Sequence, residues 1–315
     1  NTFCNGHCGF CNGFGCEVNA KSSSMATMIP LALASGHCEL RTGCTVSRVT
    51  TGADDKADEV VYWDAEGNEF AQRTKAVVLC ANGAETPRLL LLSASDQHPQ
   101  GLGNSSGFVG QNLMFNGYTS VVGLFPQPVN AYKSIPATRV IHDFYELNPS
   151  LGFYGGGGID GRHYARGTPL NSALMSGMFG GPKWGADYKK DLEQEFTHTA
   201  AFDGHTTSLP LATNTVTLDP TLKDKWGRPA LRCTYMDHPD DLATMKFFFD
   251  KTGELMEAAG AIRQAGSYPK NGQEGNVHLL GTCRMGNDPA SSVVDKYQSR
   301  KYEERGEEYR QRANA

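Results

Sequence analysis

The residues best suited to chemistry lie between positions 276 and 295, in the run NVHLLGTCRMGNDPASSVVD. Its histidine, His278, carries the side chain that ionises nearest neutral pH, and it is therefore the usual kind of proton acceptor in alcohol chemistry. A lone histidine beside a loop is more often a satisfied core residue. The pattern around His278 favours a functional role, because Gly-Thr, Arg-Met-Gly and Asn-Asp-Pro follow it before Val293 and Val294 begin a short predicted strand.

A second group of reactive side chains opens the sequence. Four cysteines follow one another at the spacing C-x3-C-x2-C-x4-C, namely Cys4, Cys8, Cys11 and Cys16. Thiolates this close in sequence can converge on a soft metal ion or an iron–sulfur cluster. The spacing matches no standard ferredoxin or zinc ribbon, and disulfides in an oxidising compartment or buried thiols are the alternatives.

Composition and charge argue against several classes of function. The 315 residues carry a net charge of −5, and no basic block recurs along them, which argues against a nucleic-acid partner. There is no run of about 18 apolar residues, so we predict no membrane span in the sequence. A Gly-x-Ser-x-Gly elbow and a Ser-His-Asp order are both missing, and a hydrolase therefore finds no support.

The next element that could position a ligand is a strand–turn–helix sequence in the first third of the chain. The continuous apolar run at 75–83, KAVVLCANG, is typical of a buried strand of the parallel kind. A helix follows, for which we predict Thr86 as the N-cap and Pro87 as the first helical residue. This geometry brings the backbone N–H groups of a turn to a phosphate or a flavin.

The remaining elements indicate a mixed α/β (α+β) chain. A helix is predicted over 21–35 with a break at Pro30, a strand pair over 38–50, a hairpin over 60–73 and antiparallel strands over 117–160. Residues 238–261 form the clearest helix, with an apolar face at helical spacing. The glycines at 156–161 meet the dinucleotide pattern G-x-G-x-x-G, but no amphipathic helix follows them, so we interpret them as a turn at a strand edge.

Three stretches together resemble the glucose-methanol-choline (GMC) oxidoreductase family of FAD-dependent alcohol and sugar dehydrogenases and oxidases. The first is the histidine run already described. The second is Gly83–Ser93, and the third is Asn104–Asn116, where many members end in Asp-His-Pro and this chain has Met114, Phe115 and Asn116. With this departure and its cysteine-rich start, the chain resembles the bacterial branch of the family near the gluconate and glucose dehydrogenases.

The resemblance implies specific site residues. His278 would take the hydroxyl proton of an alcohol while hydride passes to the flavin of FAD. Val46, Ala81, Asn82 and Gly83 would contact FAD, and Asn276 and Val277 would lie beside the substrate. Some members of this branch carry an iron–sulfur cluster near their cysteine-rich segment, at a different spacing from the one found here.

The resemblance also implies a division into domains. Residues 1–115 would form part of a Rossmann-like FAD-binding domain with the cysteine-rich loop at 1–20, and residues 116–270 a substrate domain with an antiparallel sheet and a helix at 240–260. Residues 271–315 would return to the FAD domain as a catalytic segment, with a polar tail at 296–315. The only match to the dinucleotide fingerprint, at 156–161, is interpreted as a turn, and the C-terminal signature stops near Gln298. We therefore expect a chain truncated at both ends.

The expected substrate is a sugar, sugar acid or polyol. A cytochrome or a small companion subunit would accept the electrons if the cysteines hold a cluster, and oxygen is the alternative. The resemblance implies a periplasmic or membrane-associated protein, with the cytoplasm as the alternative. Two other functions stay open, a catalytically incomplete fragment that cannot hold FAD alone and an electron-transfer module built on the cysteines.

Overall fold

The computed structural model of the chain describes residue 16 and residues 19–133, 139–162, 168–270, 272 and 277–299. Contacts between Cα atoms divide the chain into two compact units. We call the unit drawn from 1–40, 117–208 and 239–272 the sheet unit, and the unit drawn from 41–116, 209–238 and 273–315 the motif unit. The assignment of 1–115, 116–270 and 271–315 to cofactor and substrate domains stays a prediction.

Five helices and ten strands lie in the described part of the chain. The helices are α1 (Met28–Ala34), α2 (Asn82–Leu92), α3 (Pro169–Leu174), α4 (Gly185–His198) and α5 (Pro239–Ala258). The strands are β1 (Thr45–Thr51), β2 (Ala57–Trp63), β3 (Glu69–Arg73), β4 (Gly117–Leu124), β5 (Val140–Ile141), β6 (Gly157–Gly161), β7 (Thr199–Thr206), β8 (Thr215–Lys223), β9 (Pro229–Thr234) and β10 (Arg263–Ser267). The mixed α/β class predicted from the sequence is confirmed.

The sheet unit is built on five antiparallel strands in the order β10-β4-β7-β6-β5. Helix α5 packs on one face of this sheet, and its buried residues Met245, Phe248 and Met256 recur at helical spacing. Glycines in the strands make room for them, since a Cβ at Gly204 would lie 3.2 Å from the Cβ of Phe248. Each such fully buried apolar side chain stabilises the fold by about 1.5–3 kcal/mol.

The opposite face of the same sheet changes character along the strands. At one end Val122, Leu124 and Ala201 pack against Phe179. At the other end the outward positions of β4, β6 and β7 carry polar and charged side chains. The interpretation of the glycine-rich run at 156–161 as a turn is wrong, because residues 157–161 form β6 itself, which lies between β7 and β5.

The motif unit contains two smaller antiparallel sheets. One has the order β1-β2-β3, and the other is the β8–β9 hairpin. Helix α2 packs against β1 and β8, and the Oγ of Ser93 accepts a hydrogen bond of 2.9 Å from the backbone N–H of Val49. The predicted hairpin at 60–73 is confirmed as β2 and β3, and the predicted helix at 240–260 is present as α5.

Several local predictions are wrong. The first is the strand pair over 38–50, where β1 is the only strand and residues 38–44 form none. The run at 75–80 is not a buried parallel strand: no described strand pairs with it, and Val78 is 84% exposed. An apolar run signals burial only where a neighbouring strand covers it, and no described segment does so. Val293 is buried as expected, but the strand there is reduced to a single bridge between Met285 and Val294. Pro30 does not break α1, because it lies in the first turn, where its missing N–H is not needed.

The start of α2 also differs from the prediction. The helix begins at Asn82 rather than at Thr86, and Pro87 lies inside it. Asn82 is responsible, since its side-chain Oδ1 accepts hydrogen bonds from the backbone N–H groups of Ala84 and Glu85 at 2.8 and 3.2 Å. Such an asparagine satisfies the open donors of a first turn as well as threonine would. Among the helices described, none combines the length and the apolarity needed to span a bilayer.

Candidate functional site

The segment that carries His278 is held against residues 110–116. We call residues 277–282 the His loop. The backbone N–H of Gly110 donates to the carbonyl of Thr282 at 2.7 Å, and Met114 and Leu280 exchange two backbone hydrogen bonds of 3.1 and 2.9 Å. The N–H of Asn116 then donates to the carbonyl of Val277 at 3.2 Å. The His loop is therefore fixed by main-chain bonds on both sides of His278.

The backbone of the His loop is unusual at two residues. His278 has a φ of +59° and an exposed side chain. A non-glycine residue in the left-handed region carries a strain of about 1–3 kcal/mol and persists where its surroundings impose it. At Gly281, with a φ of +93°, a Cβ would lie 1.8 Å from the carbonyl oxygen of Asn112. The glycine is thus required by both conformation and space, and it brings the loop into close contact with residues 110–116.

The His loop also contacts the first turn of α2. A Cβ at Gly83 would lie 2.9 Å from the carbonyl oxygen of Leu279, so only glycine allows this approach. The Oγ1 of Thr282 donates a 2.7 Å hydrogen bond to the carbonyl of Gly83. In a regular helix that carbonyl would accept from the residue four positions later, but that residue is Pro87, which has no N–H. The proline therefore leaves an acceptor that Thr282 uses.

The turn at 81–83 is the predicted cofactor-binding turn. Ala81 precedes the helix, with φ −97° and ψ 29°, and Asn82 has a φ of +60°. The first N–H groups of a helix have no intrahelical acceptor. The Asn82 side chain takes those of Ala84 and Glu85, which leaves the N–H groups of Asn82 and Gly83 as donors at this turn. The described turn thus offers fewer donors to a ligand than the sequence pattern predicts.

Val46, the remaining predicted cofactor contact, lies in β1 beside a charged cluster. Its carbonyl accepts a 2.8 Å hydrogen bond from Nη1 of Arg228. Arg228 and the buried Arg88 of α2 both bind the carboxylate of Asp224, at 2.9 and 2.8 Å. Although partial burial acts in the opposite direction, the hydrogen bonds from the two arginines lower the pKa of Asp224 to about 2. The cluster ties α2 and the β8–β9 hairpin to β1.

Sequence reasoning missed this cluster and the bonds of 110–116. The turn at 224–229 is visible as Asp-Lys-Trp-Gly-Arg-Pro, but nothing in it shows that Asp224 reaches Arg88, which is far away in sequence. Asn112 was missed as well. It is buried, its φ is +59° and its side-chain Nδ2 has no hydrogen-bond partner among the described residues.

The other predicted site residues divide into two groups. Val277 is described and is 50% exposed, in the His loop. Asn276, Cys4, Cys8 and Cys11 lie outside the described residues. Cys16 is described, and its Sγ accepts a hydrogen bond from the backbone N–H of Ala20 at 3.2 Å. The part of the chain that the structure describes contains no group of three or more metal-ligating side chains. The roles given to all these residues, including a bound cluster, stay predictions.

Comparison with known proteins places the chain. Residues 1–116 match the N-terminal model of the GMC oxidoreductases, and residues 210–301 match the C-terminal one. The chain belongs to the GMC oxidoreductase family. The resemblance predicted from the His278, Gly83 and Asn104 stretches is therefore confirmed. Both matches include segments of the site, since the N-terminal one contains the turn at 81–83 and the C-terminal one contains the His loop.

Several curated members of the family are similar over most of this chain. It is 34% identical over 287 residues to 2-methyl-1,2-propanediol dehydrogenase of Mycolicibacterium austroafricanum, covering 90% of this chain and 51% of that protein. It is 29% identical to the gluconate 2-dehydrogenase flavoprotein of Pantoea cypripedii, covering 92% and 49%. The fructose dehydrogenase large subunit of Gluconobacter japonicus is 26% identical, at 80% and 45%. The chain spans about half the length of the curated relatives it matches.

A crystal structure of formate oxidase aligns with 80% of this GMC chain and 52% of its own chain, at a TM-score of 0.48 and 16% sequence identity.

Proposed function

We propose that this chain supplies the proton-accepting part of an FAD-dependent dehydrogenase site that oxidises the CH–OH group of a sugar, sugar acid or polyol. The observation that carries the proposal is the conformation of His278. Its backbone is held in the left-handed region by the bonds of the His loop to 110–116, and its imidazole is exposed rather than packed in the core. Strain imposed on an exposed, proton-accepting residue is typical of functional sites.

In the proposed reaction the neutral imidazole of His278 accepts the hydroxyl proton of the substrate as its carbon–hydrogen bond is broken. FAD, when bound, supplies the acceptor for the hydride. The His loop contributes position: Thr282 and Gly281 fix it against Gly83 and Asn112, which limits where the imidazole can lie. Holding a base in one place relative to the reacting group is a large part of enzymatic rate enhancement.

The described residues offer a contact for the flavin of FAD but no cradle for its pyrophosphate. The turn at 81–83 retains two backbone donors beside the His loop, as a flavin contact requires. The named strands of the described chain pair only in the antiparallel sense, and no glycine-rich turn among them joins a parallel strand to a helix. That arrangement is the usual cradle for the pyrophosphate. We therefore assign Val46, Ala81, Asn82 and Gly83 to FAD as a proposal and place no pyrophosphate site.

The names of the relatives support the substrate class. Three of them act on a propanediol, on gluconate and on fructose, all of which are small hydroxylated compounds. One is named a large subunit, so it belongs to an assembly. By extension we propose a small alcohol or sugar as substrate for this protein, and a cytochrome or a companion subunit as its electron acceptor.

The proposal is tested with the purified chain, added FAD and a dye as electron acceptor. We expect turnover of at least one of 2-methyl-1,2-propanediol, gluconate and fructose, and a loss of about 10²- to 10⁴-fold in kcat for His278→Asn, the usual contribution of a general base. His37→Asn is the matched control, because His37 is also exposed and lies in the sheet unit.

Two results would contradict the proposal in different ways. If the chain binds FAD and His278→Asn turns over as fast as the wild type, His278 is not the base. If visible spectra show no flavin absorbance with or without added FAD, the chain alone is a catalytically incomplete fragment, which is the alternative function.

A further inference from the structure

A compact group of polar side chains lies on the face of the five-stranded sheet that α5 does not cover. We call it the polar array, and it consists of Tyr118, Ser120, Asp160, Arg162, Asp203 and His205. The strand register explains its compactness. Ser120, Asp203 and Asp160 are direct cross-strand partners in one row, and Tyr118 and His205 are partners in the adjacent row. Alternate residues of a strand share a face, so all of these side chains lie on the same side of the sheet.

The centre of the polar array is the buried carboxylate of Asp160, which two partly exposed side chains, Arg162 and His205, contact. The Asp160 side chain is 7% exposed, whereas those of Arg162 and His205 are 20% and 26% exposed. Nε of Arg162 donates to Oδ1 of Asp160 at 3.0 Å, its Nη2 contacts Oδ2, and Nε2 of His205 lies 3.3 Å from Oδ2. Although burial acts to raise it, the bonds from His205 and Arg162 hold the pKa of Asp160 below its ordinary value.

The second carboxyl group of the polar array, that of Asp203, has a raised pKa instead of a lowered one. Asp203 is 1% exposed and faces Asp160 directly across the strands. Burial raises the pKa of Asp203 by more than its bonds with Tyr118 and Ser120 lower it, and the neighbouring charge of Asp160 acts in the same direction as burial. Its Oδ1 has no hydrogen-bond partner among the described residues. A buried oxygen without a partner is unfavourable, and a ligand hydroxyl group would relieve it.

From this geometry we infer that the polar array binds a neutral polyhydroxy compound, a sugar or polyol, in preference to a sugar acid. The inference rests on the proposed function and narrows its substrate class. Donors from Arg162 and His205 alternate with acceptors on Asp160 and Tyr118, which is the pattern that neighbouring hydroxyl groups require. The Tyr118 ring, packed edge-on to His205 at 5.3 Å, adds an apolar surface for the C–H side of a sugar.

Charge decides between the neutral and the acidic substrate. Arg162 is already paired with Asp160, so the two leave little net attraction for a ligand carboxylate. Asp203 lies next to them and would repel an anion whenever it ionises. A neutral polyol meets neither problem, because its hydroxyl groups both donate and accept.

The test measures binding on the full chain without turnover. Sorbitol and gluconate are titrated separately by saturation-transfer NMR, and diethyl pyrocarbonate modification of His205 is mapped by mass spectrometry with and without each compound. We expect sorbitol to bind more tightly than gluconate and to protect His205, while the exposed His37 reacts equally in both samples.

Asp160→Asn provides the decisive variant, because it removes the charge and keeps the shape. It removes the negative charge that Arg162 binds, so we expect sorbitol binding to fall at least fivefold and the preference for sorbitol over gluconate to shrink or reverse. Asp187→Asn is the matched control in the same unit, since Asp187 forms an exposed pair with Lys190 on α4. Circular dichroism verifies folding, and His205→Gln, at a half-open position, replaces Asp160→Asn if the latter unfolds.

The inference is overturned if sorbitol neither binds nor protects His205, or if Asp160→Asn and Asp187→Asn bind both compounds equally. Its failure is distinct from failure of the proposed function. A chain that oxidises alcohols in a His278-dependent manner with no effect of the polar-array variants would keep the function and exclude this site. A chain that binds sorbitol at the polar array but does not bind FAD would support this site and contradict the proposed function.

Discussion

The His loop and the polar array are both candidate sites, and they are built in contrasting ways. The His loop is one continuous segment, fixed by main-chain hydrogen bonds, positive φ angles and close glycine contacts. The polar array is assembled from three strands, and side-chain bonds around Asp160 and Asp203 hold it together. The first is therefore sensitive to added volume and backbone conformation, and the second to changes of charge.

The largest expected effect is on the His loop. Gly281→Ala combines an unfavourable φ with a Cβ 1.8 Å from the carbonyl of Asn112, so we expect a loss of about 3 kcal/mol in the free energy of unfolding. Gly107→Ala is the control, because Gly107 has a φ of +74° but nothing within 4 Å of the added atom, and about 1 kcal/mol is expected there. Urea denaturation compares the two. Equal losses would show that conformation alone, without the contact, requires glycine at 281.

The next effect concerns the charges of the polar array. Asp160 has a lowered pKa, so its stabilising contribution is present above the unfolded pKa of about 3.9 and disappears as the pH falls through the folded value. Asp160→Asn is expected to lower the free energy of unfolding by about 2 kcal/mol at pH 7, since it removes the charged carboxylate to which the partly buried Arg162 is bonded. That difference should shrink below pH 4, as measured by urea denaturation across pH.

Asp203→Asn is the companion variant, and its effect on stability should change with pH in the opposite direction. The pKa of Asp203 is raised, so its ionisation opposes folding as the pH rises from the unfolded pKa through the folded one. The neutral amide removes that opposition, and we expect the variant to be more stable relative to the wild type at pH 7 than at pH 3. If both substitutions gave the same pH dependence, the two carboxyl groups would not be in different states.

The smallest effect concerns the contact between the His loop and α2. Thr282→Val removes the hydrogen bond to the partly buried carbonyl of Gly83, and we expect a loss of about 1 kcal/mol in the free energy of unfolding. Thr282→Ser keeps the hydroxyl group and should recover most of it. Hydrogen exchange at the N–H of Leu280 reports on the His loop directly. Faster exchange in the serine variant than in the valine variant would exclude the hydroxyl bond as the cause.

The contrast between the two sites explains what the sequence could predict. The His loop was visible because its residues follow one another at fixed spacing, and the β2–β3 hairpin and α5 were visible for the same reason. The pairing of Asp160 with Asp203 depends on the register between β6 and β7, which are separated by nearly forty residues of sequence. Local periodicity carries no information on such a register.

The errors at 75–83 have a related cause. The run at 75–80 has the composition of a buried strand, but burial depends on a neighbouring strand that its own residues do not specify. The start of α2 was misplaced because Thr86-Pro87 is a common helix start. The side chain of Asn82, four residues before Thr86, accepts the backbone N–H groups of the first turn instead. In both places a tertiary or side-chain contact overrode a sound local preference.

Pro87 has a consequence for how this protein can change over evolutionary time. Its missing N–H leaves the carbonyl of Gly83 available to Thr282, which lies almost two hundred residues further along the chain. If Pro87 alone is replaced, a new amide competes with Thr282 for the same oxygen; if Thr282 alone is replaced by an apolar residue, that oxygen loses its donor. A substitution at either position is therefore constrained by the residue at the other, and we expect the two positions to change together.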